Sequence, residues 1–299
     1  MNKHHKISEA IEIIATHKNQ IINHIDSAWG ACDFSLSEPK IIKSFVMDKG
    51  KGVDYLNINL AKLINDSQSR FVVKFGGVYT HQRPYIVRTL GNSAKQKGTN
   101  PTEKCELADL LCLHVFVDSK KNVITSQASF FQAKKTETID NATQRWLYDL
   151  DDKFSYDASS FWENTSLGTD LRTMPSWEEQ RSSAFQYLLL LNNKPNVRLS
   201  PWSVDHKHKF SFFLYRLLTF SAGKTYDYAD RCDGGWSSIV NDVLRMGGGA
   251  IKGKLRNSPN LDEIIDYFND FRNHDKHVMD ANGSGVPMLL SIVQDTGNT

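Results

Sequence analysis

The sequence predicts a mixed α/β (α+β) protein, and three patterns carry that expectation. Isoleucines and leucines recur at helical spacing before Asp66, and two runs of β-branched, aliphatic and aromatic residues flank a polar turn between Leu107 and Ala133. Helical patterns then dominate the second half of the chain. With 299 residues, 40% hydrophobic and 23% charged, the chain can bury a sizeable core as one large domain or two smaller ones.

In order along the chain, "ISEAIEIIATHKNQIINHI" places Ile7, Ile11, Ile14, Ile21, Ile22 and Ile25 near one helical face, and "VDYLNINLAKLIND" repeats the pattern at Leu56, Leu60 and Leu63. "RFVVKF" reads as a short strand before Gly76 and Gly77, and "PYIVRTL" as an extended piece. "GNSAKQKGTNPTEK" has the composition of a loop. "DNATQRWLYDLDDKF" reads as a helix with Asp140 or Asn141 as N-cap. "WEEQRSSAFQYLLLLNN", "KFSFFLYRLLTF", "GGWSSIVNDVLRM" and "NLDEIIDYFNDFRN" read as helices, and "GVPMLLSIVQD" as a closing strand. The expected organisation is an N-terminal helical segment at 1–39, a strand-bearing core at 40–157 and a helical accessory region at 158–299.

The central runs, Leu107 to Val117 and Val123 to Ala133, form an antiparallel hairpin in the simplest reading, with "DSKKN" as the turn. Centring the turn between Lys120 and Lys121 sets Asp109 directly opposite Gln132, and Lys134 shares the face of Gln132 because strand side chains alternate. A one-residue slip would break this convergence. A carboxylate and an amide oxygen at one sheet end suit a hard divalent cation, and an ammonium beside them can stabilise charge developing on phosphate. The plainer alternative has Asp109 capping a strand start, with Gln132 and Lys134 on a solvated strand end.

At these residues the chain resembles the PD-(D/E)XK nuclease superfamily, in the variant where Gln stands at the second motif's acid: Asp109, a hairpin, then Gln132-Ala133-Lys134. The resemblance implies a restriction-endonuclease-like mixed sheet flanked by helices, a preceding helix that often supplies another acid, and cleavage of nucleic acid with Mg2+ or Mn2+. It assigns Asp109 and Gln132 to the metal and Lys134 to catalysis. Glu106 is a weaker metal-ligand candidate, because a three-residue offset in a regular strand turns it to the other side from Asp109. "QRWLY" sets Gln144 and Tyr148 on one helical face and resembles the QxxxY motif of the helicase-associated exonuclease branch, where such residues support the active site and bound strand.

The segment from Arg70 to Lys104 holds seven Lys or Arg against one acid, whereas Asp140 to Glu179 holds nine acids against three bases. Within the basic segment "YTHQRPYIVR" offers His81, Arg83 and Arg88 among Tyr79 and Tyr85, a pattern of cations for phosphates and rings for bases. An edge strand ended by Pro84 explains the same residues without a ligand. Other motifs are weaker. "SAGKT" lacks the upstream glycine of a phosphate-binding loop, having Leu218 there, and "GGG" at Gly247 to Gly249 suits a C-cap. "DHKHK" and "NHDKH" offer histidines without further ligands at useful spacing.

The four cysteines show no metal or disulfide spacing, the N-terminal stretch "MNKHHKISEAIEIIATHKNQ" lacks the uninterrupted apolar core of a signal peptide, and no apolar run approaches the length of a membrane span, so a cytoplasmic protein is expected. The wider order of "FFQAKK", "RWLYDLDDKFSY", "FFLYRLLTFSAGKTYDY" and "GGWSSIVNDVLRM" is similar to bacterial proteins of phage-defence contexts, which implies an effector or accessory nuclease, acting on nucleic acid with DNA the expected substrate, and a protein partner from such a system. Two competing classes stand beside the nuclease. One is a non-catalytic binding module on the same fold, since Gln132 brings no charge to a metal; the other is an interaction protein whose helical region recruits another enzyme.

Overall fold

A computed structural model describes residues 3–67, 69–82, 84–89, 104–138, 142–157, 171–227, 234–250 and 278–297. Its centre is a nine-stranded mixed sheet built from β1 (Phe71–Gln82), β4 (Leu110–Val117), β5 (Val123–Lys134), β8 (Phe185–Leu189), β9 (Asn196–Leu199), β10 (Lys207–Lys209), β11 (Lys224–Thr225), β12 (Val278–Ser284) and β13 (Met288–Asp295). The spatial order is β10-β9-β8-β5-β4-β13-β1-β12, and β11 pairs with β5 beside that path. A smaller antiparallel sheet runs β3 (Lys104–Glu106), β2 (Tyr85–Thr89), β6 (Lys153–Tyr156), β7 (Arg172–Thr173).

All eight residues of β4 are buried, because both faces of the large sheet are covered. Leu111, Leu113 and Val115 join Phe130, Leu147, Trp236 and Ile239 in the core under the small sheet and the helices Ala142–Asp149 and Trp236–Ala250. Leu110, Cys112 and Phe116 join Phe131, Ile25, Phe45 and Phe210 in a second core, under the helices Lys18–Gly30, Glu38–Met47 and Phe210–Leu218. Burial on both sides is why the strand reads as a continuous apolar run rather than an alternation. Glycine is needed where one of these helices meets the sheet: a Cβ on Gly77 would lie 2.4 Å from the carbonyl oxygen of Val46. β1 therefore runs through Gly76 and Gly77 instead of ending before them.

Several expectations change. The N-terminal periodic stretch is two helices, Lys3–Thr16 and Lys18–Gly30, broken at His17. Residues 158–299 are not mainly helical where they are described; they contribute seven strands, and β13 lies between β1 and β4 at the middle of the large sheet. The helix expected in "WEEQRSSAFQYLLLLNN" is one turn, Arg181–Ala184, followed by β8, whose five residues are all buried. A continuous apolar run of that length has no periodicity to separate strand from helix. Gly247 to Gly249 lie inside the Trp236–Ala250 helix rather than capping it. The loop-like 90–103 segment, the caps at Asp140 and Asn141 and the "NLDEIIDYFNDFRN" helix lie outside the described residues. Among the described residues no helix is long and apolar enough to cross a membrane.

The hairpin forms in the expected register away from its turn, with Leu110 opposite Phe131 and Leu113 opposite Ala128. The turn itself differs. Val117 pairs with Val123 but Phe116 with Thr125, so the ladder carries a one-residue bulge at Ile124. Asp118 closes the turn: its Oδ1 accepts from the backbone N–H of Lys120 at 2.9 Å and of Asn122 at 2.8 Å, and Lys121 takes φ 66°. Desolvation opposes ionisation of Asp118, but the Asn122 and Lys120 hydrogen bonds outweigh it and hold the carboxyl below its ordinary value. Stability from a depressed carboxyl is present above the unfolded value, about 3.9, and is lost as pH falls through the lower folded value. Asp118→Ala should therefore lower the urea-derived unfolding free energy by about 1–2 kcal/mol at pH 7, with the gap to wild type closing below about pH 4.

Candidate active site at the end of the hairpin

The chain leaves the small sheet after Glu106 and enters the large one at Leu110, so Asp109 sits on the crossover at the end of the hairpin. Its backbone N–H donates to the Phe131 carbonyl at 2.8 Å. Its Oδ2 accepts from Nε2 of Gln132 and from the N–H of Ala133, each at 2.7 Å. Asp109 and Gln132 are each 1% exposed, and burying a carboxylate is costly unless donors such as these satisfy it. Asp109 thus does cap the strand pair, as the plainer alternative held, but Gln132 lies in the interior and not on a solvated edge.

Because a carboxylate oxygen only accepts, the nitrogen end of the Gln132 amide must face Asp109. Its Oε1 is buried and has no hydrogen-bond partner among the described residues. Lys134, half-buried and on the same face, donates from Nζ to Oε1 of Gln144 at 2.7 Å. Among the described residues it makes no ion pair with a carboxylate. Gln144 lies on the Ala142–Asp149 helix, and Tyr148 four residues on donates its hydroxyl to the Leu107 carbonyl at 3.0 Å. Burial, with the charge of Asp109 next, raises the Tyr148 pKa well above its ordinary value, so the phenol acts as a donor. Asp109, Gln132, Lys134, Gln144 and Tyr148 accordingly gather at one place.

The remaining expected residues do not join them in the same way. Glu106 is partly buried in β3, opposite Tyr85 in the small sheet. His81 belongs to β1, with its side chain outside the described residues, and Arg83 lies wholly outside them. Arg88 is corrected from a phosphate contact to a core residue. It is 2% exposed, its Nη2 donates to Asp151 Oδ1 at 2.8 Å, and its Nε bonds the other oxygen of that carboxylate. The guanidinium also lies over the Trp146 ring at 5.1 Å. A phosphate could reach it only by breaking this pair.

Two groups escaped the sequence reading. Glu38, at the first turn of the Glu38–Met47 helix, accepts through Oε1 from the backbone N–H of Lys135 at 2.6 Å, bringing a second carboxylate to the strand end from the other side of the sheet. The acidic first turn of a helix preceding the hairpin was its available signal. Arg181 donates to the carbonyls of Leu147, Tyr148 and Asp151, tying down the end of the helix that carries Gln144. Among the described residues no group of three or more His, Cys, Asp or Glu is arranged to hold a metal. The donor set at the hairpin end is one carboxylate and one unpartnered amide oxygen. Two such oxygens, both buried, make up only part of the sphere that Mg2+ or Mn2+ requires.

No protein-family model, no curated protein and no solved structure matches the chain.

The Arg88 correction has a measurable consequence. Removing one partner of a buried charge pair leaves the other uncompensated, so Arg88→Ala should cost about 3–5 kcal/mol in urea denaturation. A loss below about 1 kcal/mol, in the range of an exposed pair, would return Arg88 to the surface.

Proposed function

We propose that the chain is a divalent-metal-dependent nuclease of PD-(D/E)XK type, with DNA the expected substrate and a bacterial anti-phage role its expected setting. The observation that carries this reading is the hairpin register. It presses the Gln132 amide onto Asp109 with the amide oxygen left over, and sets Lys134 two residues on against Gln144.

In this reading Asp109 and Oε1 of Gln132 hold the cation, Mg2+ or Mn2+, which as a Lewis acid would polarise the phosphate and its attacking water. Lys134 stabilises the charge that grows on the phosphate oxygens, and Gln144 orients its ammonium. Tyr148 is a positioning residue: its hydroxyl secures the crossover carbonyl two residues before Asp109. Glu106, partly buried on the small sheet, would complete the metal sphere only by turning from β3 toward the crossover.

A second reading has its own support. The closed Asp109–Gln132 contact, nearly without exposure, suits a module that keeps the fold and binds nucleic acid or a protein partner without cutting.

Incubating the full chain with single- and double-stranded DNA and RNA, with Mg2+, Mn2+ or chelator, separates the two. Cleavage only with metal is expected; binding without cleavage favours the module. Under single-turnover conditions Lys134→Ala should lower the rate by about a hundredfold or more with substrate affinity largely kept, the scale for losing a preorganised charge-stabilising group. Asp109→Ala should lose rate and metal dependence together. A folded Lys134→Ala that cuts as fast as wild type removes Lys134 from catalysis.

A further inference from the structure

Where β12 stops, a helix takes its place beside β1. Among the described residues β12 pairs with β1 from Gly77 onward, so residues 71–75 have no strand on that side. Backbone groups alternate along a strand, so Phe71, Val73 and Phe75 turn their N–H and C=O to this edge while Val72 and Lys74 turn theirs to β13. Side chains satisfy all three. The Val73 N–H donates to Oδ1 of Asn65 at 2.7 Å, and Nδ2 of Asn65 donates to the Val73 carbonyl at 3.1 Å. Asn57 does the same for Phe75, at 2.9 Å and 2.7 Å. Ser69 accepts from the Phe71 N–H at 3.2 Å and donates to the Phe71 carbonyl at 2.9 Å.

An asparagine amide carries a carbonyl oxygen and an N–H donor side by side, and the backbone N–H groups of Val73 and Phe75 fix which end faces which partner. Asn57 and Asn65 therefore offer β1 the groups that a neighbouring strand would offer. The helix that carries them is shaped for it. Residues eight positions apart in a regular α-helix stand roughly 80° out of line. Residues 52–65 form one helix whose middle, Leu56–Ala61, is π-helical, and its wider turn takes up that angle so that both amides reach the same strand.

The covered strand shows what the seal excludes. Residues 71–75, "FVVKF", are aromatic or β-branched apart from Lys74 and contain neither Pro nor Gly. An open edge of that composition is a template for strand addition, and two copies of the chain would offer each other the same edge.

We propose that the helix at 52–65 is a strap that stands in for a strand, its Asn57 and Asn65 amides closing the edge of β1 against strand addition by a second copy of the chain. This inference does not depend on the nuclease reading, because none of these residues belongs to the Asp109 site.

The test combines thermal unfolding with sedimentation velocity on the full chain. Asn57→Asp and Asn65→Asp each exchange the amide donor for an oxygen. At pH 7 the new carboxylate faces a backbone carbonyl, and the melting temperature should fall by about 4 °C or more. Once protonated, the carboxyl again offers a donor beside an acceptor. Its folded pKa is therefore raised above the unfolded value of about 3.9, and the deficit against wild type at the same pH should shrink as pH falls from 7 toward 4. The Asn57→Leu/Asn65→Leu double variant should self-associate, its sedimentation coefficient rising over a tenfold concentration range in which that of wild type does not change. Asn65→Ala carries this arm if the double variant does not fold. Asn59→Leu, at a position whose amide donates to the Tyr55 carbonyl within the helix at 3.0 Å, should sediment as wild type does. A deficit in the Asn→Asp variants that does not change with pH, wild-type sedimentation of the variant that carries the association arm, or equal association in Asn59→Leu would each overturn the proposal.

Discussion

The site depends on one extra residue in one strand. Next to the turn Val117 pairs with Val123, and if that pairing continued, Asp109 would face Phe131 and Gln132 would face Ala108. The bulge at Ile124 advances β5 by one position and restores the register in which Asp109 and Gln132 meet. A one-residue slip exchanges the faces of a strand, so without the bulge Gln132 and Lys134 would point into the opposite core and Phe131 toward the polar cluster. The turn is held by Asp118 rather than by an Asn-Gly dipeptide. Its hydrogen bonds offset the strain of Lys121 in the left-handed region, which is on the order of 1 kcal/mol.

From that register a network of hydrogen bonds spreads outward. Gln132 and Ala133 hold Asp109, Lys134 reaches Gln144, and Tyr148 on the same helix secures the crossover at Leu107. Arg181 fastens that helix through the Leu147 and Tyr148 carbonyls and the Asp151 carbonyl just past its end, while Asp149 accepts from Tyr187 at 2.9 Å and so links it to β8. A buried polar network of this kind is favourable only when its members are satisfied, which makes the oxygen of Gln132, without a partner among the described residues, informative. A cation or an ordered water can complete it, and left unmade it is a net cost to the fold.

The hairpin was legible in the sequence because β-branched and aromatic runs around a polar turn state a local pattern, and alternation alone places Gln132 with Lys134. Gln144 and Tyr148 were legible through helical spacing. The register came out as expected for a different reason, since a turn shifted by one position and a bulge cancel, and neither leaves a mark in composition. Long-range pairing was not legible: nothing local says that β13 threads between β1 and β4, or that Asp151 awaits Arg88. An arginine that forks to a buried carboxylate looks the same in sequence as one reaching for phosphate. β8 was misread because a strand buried on both faces loses its alternation, and nothing local says that the "DHKHK" and "SAGKT" segments line one pocket.

Asp109 and Gln132 are proposed to form a divalent-cation site together. Titration of Mn2+ into the full chain, followed by electron paramagnetic resonance in the presence of a non-hydrolysable oligonucleotide, addresses it directly. Saturable Mn2+ binding by the wild type, lost in a folded Asp109→Asn variant and weakened in Gln132→Leu, is the expected result. No bound Mn2+ in the wild type, or undiminished binding in Asp109→Asn, would contradict it and leave Asp109 as a strand cap.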